Sequence, residues 1–344
     1  TTSLRGVIGG DVRVEVLTEG VHSGDASGIV PSSFRVFREL MDRLEDSATG
    51  EILPKQLHVP IPKQRRQQAK AAAKVLGDQL WQRFPWAEGT KPMAKDRAEL
   101  VLNRTWRPFV EVIGVDGIPP VDRAGNVLRP YTTFKLSLRI PPTADPKECA
   151  RQLQKVMTKK PLHGANVTFT PEKLSQGWDA PPLAGWLERA CADASRTFFG
   201  RDCVYMGEGG TIPFMGMLGE KFPAAQFMIT GVLGPQSNAH GPNEFLHIPM
   251  GKRLTASVAM VLEAHLARHQ SGSGGKGKKQ KHAEQREAKE SQQVAVASAS
   301  PAVAAAERNG DGKPKHKGKH KHADKRDEKL VEKDRKKAKA HAGR

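Results

Sequence analysis

Two stretches of strict apolar alternation constrain the fold more than any other feature of the chain. In Val12-Arg13-Val14-Glu15-Val16, and again over Thr133–Ile140, every second side chain is apolar. Successive side chains on a strand point to opposite faces, so this period predicts half-buried strands with one face on a core. In the second stretch Phe134, Leu136, Leu138 and Ile140 make the core face. Arg139, with Lys135 and Ser137, falls on the other.

Around these strands the period turns helical. After Pro31-Ser32-Ser33, the residues Phe34, Phe37, Leu40, Met41 and Leu44 form one apolar stripe ending near Asp46. Asp145-Pro146 opens a second helix, whose Cys149, Leu153, Val156 and Met157 share a face. Phe109–Ile113 and Val167–Phe169 supply two further strand candidates. The order strand, helix, strand, strand, helix, strand predicts a ferredoxin-like α+β unit. Residues 51 to 100 hold a Pro-punctuated segment and a Gln/Ala/Lys-rich helix around 63 to 84, and read as an insertion. Beyond about residue 174 the rhythm becomes a helix (Leu183, Trp186, Leu187, Ala190, Ala194), a Gly-rich turn, an apolar strand (Phe227–Leu233), a polar loop and a closing helix (Leu254, Val258, Val261, Leu262). Alternating strands and helices predict part of a layered α/β domain, too short to be a whole one.

Composition removes one stretch from the folding problem. The net charge of +18 divides unevenly, with 34 basic and 27 acidic side chains in residues 1–270 against 21 and 10 in 271–344. That tail opens SGSGGKGKK, ends KPKHKGKHKHADKRDEKLVEKDRKKAKAHAGR and holds no aromatic residue. It offers too little apolar surface to offset the entropy of ordering, so it reads as a disordered basic tail. RNA or an anionic membrane is the acidic partner such a charge would attract, although without aromatics to stack on bases it has no means of reading a sequence. His316, His320 and His322 add a loose transition-metal site as a further reading of the tail. Three cysteines, Cys149, Cys191 and Cys203, make no CxxC arrangement and point to a reducing, cytoplasmic compartment. No apolar run approaches the roughly 20 residues that span a bilayer.

Three polar clusters interrupt the apolar pattern. The loop GPQSNAHGPNE (234–244) places His240 between an apolar segment and a helix, where open α/β sheets bind ligands; from this residue alone, a loop histidine satisfied by backbone is the favoured reading. Met206–Pro213 brings Gly209 and Gly210 next to Thr211, and such a glycine pair either admits a ligand close to backbone N–H groups or makes a tight turn. His22 sits in the glycine-rich stretch GVHSGDASG, again either a site or a turn.

Five segments in this order and spacing, TEGVHSGDASGIVPSS, LNRTWRP, AGNVLRPYTTFKLSLRIPP, GEGGTIPFMGML and AHGPNEFLHIP, resemble the dinuclear-zinc metallopeptidase family of cytosolic non-specific dipeptidase, carnosinase, acetylornithine deacetylase and succinyl-diaminopimelate desuccinylase. The resemblance covers about residues 1–269. It implies an incomplete zinc-peptidase catalytic α/β domain carrying an inserted ferredoxin-like lid: residues 1–7 as the end of a catalytic segment, 8–173 as a lid and dimerisation domain with an insertion at about 51–105, 174–269 as the C-terminal part of the catalytic domain, and 270–344 as the tail. It further implies a homodimer formed through the lid, dipeptide or short-peptide substrates, and amide hydrolysis by a metal-activated water. By resemblance His240 is a zinc ligand, His22 stabilises the oxyanion across the dimer, and Asn126 lies near that same partner site. Arg139 pairs with the substrate carboxylate through its fork, and Glu208, Gly209, Gly210 and Thr211 cradle the substrate. The family holds two zinc ions per active site through an upstream His-x-Asp pair, a bridging Asp and adjacent Glu-Glu, of which the first Glu is the base. No Glu-Glu pair occurs in the sequence, and the one His-x-Asp, His322-Ala323-Asp324, lies in the tail. The expectation is therefore a fragment that retains no zinc and is inert alone. The competing expectation is a non-catalytic dimerisation protein whose basic tail binds acidic surfaces.

Overall fold

A computed structural model describes residues 1–234 and 236–273, all within one compact unit. The tail readings, including His316, His320 and His322, lie outside the described residues.

In chain order the elements are β1 (Ser3–Leu4), β2 (Gly6–Glu15), β3 (Val21–His22), α1 (Ser23–Ala26), α2 (Ser33–Leu44), α3 (Lys63–Leu76), α4 (Gln79–Gln82), α5 (Arg97–Thr105), β4 (Phe109–Asp116), β5 (Val127–Leu128), β6 (Tyr131–Ile140), α6 (Pro146–Thr158), β7 (Asn166–Ser175), β8 (Trp178–Asp179), α7 (Gly185–Phe199), α8 (Pro213–Lys221) and α9 (Ile248–Ser273). The expected order of strands and helices is found. Four strands form an antiparallel sheet in the order β4-β6-β2-β7, and α2 and α6 close over one face.

Alternation decides which face. Val12 and Val14 of β2 and Phe134, Leu136, Leu138 and Ile140 of β6 are buried against Val36, Phe37, Leu40 and Leu44 of α2 and Cys149, Leu153 and Met157 of α6. Fully burying one such side chain is worth about 1.5–3 kcal/mol, which makes this cluster the main apolar contribution among the described residues. Phe37 stacks on Phe134, their ring centroids 3.5 Å apart. The other face stays polar, where Lys135 bridges Asp11 and Glu172.

The segment read as an insertion does not hang free. Its helix breaks at Gly77, which takes φ +55°, so the single helix expected over 63 to 84 is α3 followed by the short α4. α3 packs on α5 through Ala69, Ala73, Val101 and Leu102. Arg65 of α3 is buried and reaches the carboxylate of Asp179 (2.8 Å) and the carbonyl of Ala180 (2.7 Å), which ties the segment to β8.

Two further expectations change. Residues 20 to 28 are a short strand and one helical turn instead of an open loop, because Val21 and His22 pair with Leu128 and Val127. Phe227–Leu233 forms no strand. Its apolar residues are those of a buried strand, but a ladder needs a neighbouring strand, and the segment contributes instead Phe227 and Ile229 to a small cluster with Leu4, Trp178 and Ala180. The closing helix α9 packs on α7 through Leu187, Ala190, Ala194 and Val261.

Candidate substrate-gripping site

Sheet register assembles the site. Gly6 of β2 lies opposite Ile140, so Arg5, one residue earlier, emerges beside the end of β6 that carries Arg139. A Cβ on Gly6 would stand 2.7 Å from both an Ile140 side-chain carbon and the Ser175 carbonyl, so only glycine lets the chain pass between β6 and β7 there. Across the other edge of β6, Phe109 lies opposite Arg139, which brings in the preceding LNRTWRP segment at the end of α5. The third component is the loop 206–211, drawn in by a parallel bridge between Leu4 and Glu208 and by the Glu208 N–H, which donates to the Ser3 carbonyl at 2.7 Å.

Arg139 donates through Nη1 to the Thr211 hydroxyl oxygen at 3.0 Å. The Thr211 hydroxyl donates in turn to the Arg5 carbonyl at 2.7 Å. A hydroxyl has one proton, so Thr211 acts here as an acceptor that orients Arg139, and the remaining guanidinium donors of Arg139 are the groups placed to hold an anion. Arg104 pairs with the Glu208 carboxylate and Arg107 with Glu99. Arg5 itself is buried and has carbonyl partners, those of Gly209, Asn103 and Arg107. Burial, and then the nearby Arg139 and Arg104, push its pKa down to about 9. Arg83 is pushed down as well, by burial first and then by Arg104. The cluster is thus cationic, with Glu208 already committed to Arg104.

The structure brings Arg139, Glu208, Gly209 and Thr211 together, with Gly210 on the same loop. It also joins His22 to Asn126, through the Ser23 N–H that donates to the Asn126 carbonyl at 2.9 Å and through the β3–β5 pair. Among the described residues no hydrogen bond or ion pair links this second pair to Arg139, Thr211 or Glu208 in one copy of the chain. His240 is linked to neither group by a hydrogen bond or ion pair among the described residues. It adopts φ +60° in a loop that closes on itself, its N–H donating to the Glu244 carboxylate at 3.0 Å and the Asn238 amide donating to the Pro242 carbonyl at 2.7 Å.

A zinc site needs about four donors at roughly 2.0–2.3 Å. Among the described residues no group of three or more His, Cys, Asp or Glu side chains is close enough to hold a metal ion, so the residues of one copy around His240 do not fit zinc. Arg5, Asn103 and Arg107 were not singled out from the sequence. The signal for Arg5 is a lone cation inside SLRGVIGG, where every flanking position is small or apolar.

Residues 2–165 match the family model described as the peptidase dimerisation domain. The chain is similar to the cysteinylglycine-S-conjugate dipeptidase of Corynebacterium striatum, 26% identical over 249 residues that cover 71% of this chain and 52% of that protein. Among solved structures it resembles the di-peptidase Dug1p of Saccharomyces cerevisiae, with TM-score 0.61 and 20% identity over 77% of this chain and 55% of that one. Human carnosine dipeptidase 1 gives TM-score 0.56 and 20% identity over 77% and 56%. A metallo-carboxypeptidase from Sulfolobus solfataricus gives 0.58 and 18% over 76% and 58%. The chain spans a little over half the length of these relatives.

Proposed function

Residues 2–165 belong to the peptidase dimerisation domain family, and from that premise we propose that the described residues are the substrate-holding part of a dipeptidase active site, with Arg139 as the grip on the substrate's terminal carboxylate. The observation that carries this reading is the Arg139–Thr211 hydrogen bond of 3.0 Å, which unites residues 72 positions apart, one on β6 and one on the 206–211 loop, in a cationic cluster. A guanidinium fork and a carboxylate match in shape and charge, and such charge-assisted pairs are the strong ones. Thr211 orients the fork, and Glu208, Gly209 and Gly210 line the approach.

In the same reading the protein is a homodimer through the lid, and His22 and Asn126, joined on one exposed patch, serve the partner copy's site, His22 by donating to the oxygen that gains charge when an amide carbonyl is attacked. His240 would be one donor to a zinc ion, which would supply an activated water if further donors and a general base joined it; the described residues around His240 do not hold the ion by themselves. The three cysteines are free thiols, which supports a reducing compartment, and no described helix is long and apolar enough to cross a membrane.

The test is discrimination between a dipeptide and its C-terminal amide. Glycyl-L-alanine is expected to bind at least roughly tenfold more tightly than glycyl-L-alaninamide by calorimetry, with Arg139→Met erasing the difference. Equal affinity for the two ligands in the unmodified chain would sink the reading.

A further inference from the structure

We propose that Arg5 is a positioning residue of this site, one that acts on the substrate carboxylate through Thr211 and the Glu208–Gly209 backbone. This rests on Arg139 being the carboxylate grip. Arg5 holds the loop at three points. Its N–H donates to the Glu208 carbonyl (3.3 Å), its Nε to the Gly209 carbonyl (3.3 Å), and its own carbonyl accepts the Thr211 hydroxyl proton (2.7 Å). Its Nη1 reaches the Asn103 and Arg107 carbonyls, at 3.1 and 3.2 Å, and so fixes the loop to the end of α5.

The third contact sets the chemistry. The Arg5 carbonyl is a main-chain group held in place by the three carbonyls that its own side chain reaches, and because it takes the only proton of the Thr211 hydroxyl, the oxygen presents a lone pair to Arg139. Were the hydroxyl free to rotate, its proton would oppose the Arg139 N–H and the fork would lose its aim. Arginine is required at position 5 because a planar fork reaches three carbonyls on two elements at once, whereas an ammonium is a point charge without fixed directions. A buried cation is ordinarily matched by a carboxylate, yet no ion pair to Arg5 is found among the described residues, and Glu208 of the adjoining loop is held by Arg104. Even with its pKa pushed down to about 9, the Arg5 guanidinium is charged at neutral pH, and its positive potential beside Arg139 adds to the attraction for an anion.

Arg5→Lys and Arg139→Met, singly and together in the full chain, test this by calorimetry with glycyl-L-alanine and glycyl-L-alaninamide. Arg5→Lys is expected to weaken the dipeptide roughly tenfold, to leave the amide unchanged and to add nothing in the Arg139→Met background. A residue that merely holds the fold together would weaken both ligands alike or act additively, and either result overturns the proposal, as does unchanged dipeptide affinity. Should Arg5→Lys fail to fold, Arg5→Gln keeps a donor for the Gly209 carbonyl but cannot also reach the carbonyls of Asn103 and Arg107. It must then show the same selective loss, and unaltered selectivity counts against Arg5. If the unmodified chain shows no carboxylate preference, the grip itself fails and Arg5 with it; a preference kept both there and in Arg5→Lys removes the Arg5 role alone.

Discussion

Gly209 meets backbone on one side and the Arg5 side chain on another. A Cβ there would stand 2.9 Å from the Arg104 carbonyl and 3.1 Å from Arg5 Nη2, and a backbone carbonyl cannot rotate away as a side chain can. Gly209→Ala is therefore expected to push the loop off Arg5 and to lower glycyl-L-alanine affinity several-fold, a change that calorimetry would register; retained affinity would show that the loop tolerates the displacement. The two arginines differ in how far the sequence reveals them. Arg139 is legible because strand alternation places it opposite an apolar set, a rule that needs only its neighbours in the chain. Arg5 is not, since its partners lie about 100 and 200 residues away and no local period encodes them. The same holds for the Thr211 hydroxyl, whose role as acceptor depends on a carbonyl 206 positions away.

Among the elements, the two edges of the main sheet contrast. β7 bears Pro171, Glu172 and Lys173, the residues with which proteins protect an edge strand from pairing. β4 is apolar and open, with Ile113 62% and Val115 52% exposed. It is the edge suited to meet a second copy, and Ile113→Lys is expected to shift the protein towards monomer in light scattering; a dimer of unchanged stability would place the interface elsewhere. Helix α6 shows a local rule acting alone. The Asp145 carboxylate accepts from the N–H groups of Glu148 and Lys147, Glu148 contributing most, and these hold its pKa below the usual carboxylate value. A depressed folded pKa stabilises above the unfolded value, about 3.9, and that contribution is lost as pH falls through the folded one. Asp145→Ala should thus lower Tm at neutral pH, with the gap to the parent closing below about pH 4; a gap independent of pH would assign the loss to packing. Asp145-Pro146 was readable as a helix start for the same reason, that a cap needs only the next three residues. Phe227–Leu233 was misread because the strand it predicts requires a partner strand that the described residues do not provide.

At the scale of the molecule, the sheet β4-β6-β2-β7 buries its apolar face against α2 and α6, whereas the part after β8 exposes Phe214, Phe222, Leu246, Ile248 and Leu262. Soluble proteins rarely leave so many large apolar groups in water without a surface to meet. The same part carries His240 without companion donors, and the two observations have a common explanation if the surface that would cover those apolar groups also brings the ligands. One consequence separates binding from chemistry. Without a metal the attacking water keeps a pKa near 15.7 in place of about 7, and loss of a general base costs roughly 10²–10⁴ in rate besides. The chain dialysed against zinc is therefore expected to retain less than about one ion per two copies, to be unaltered in this by His240→Ala, and to bind glycyl-L-alanine while leaving its amide bond intact. Close to two ions per chain, lost with His240→Ala and accompanied by hydrolysis, would instead mean that the missing donors assemble around His240 from a second copy or from residues beyond those described.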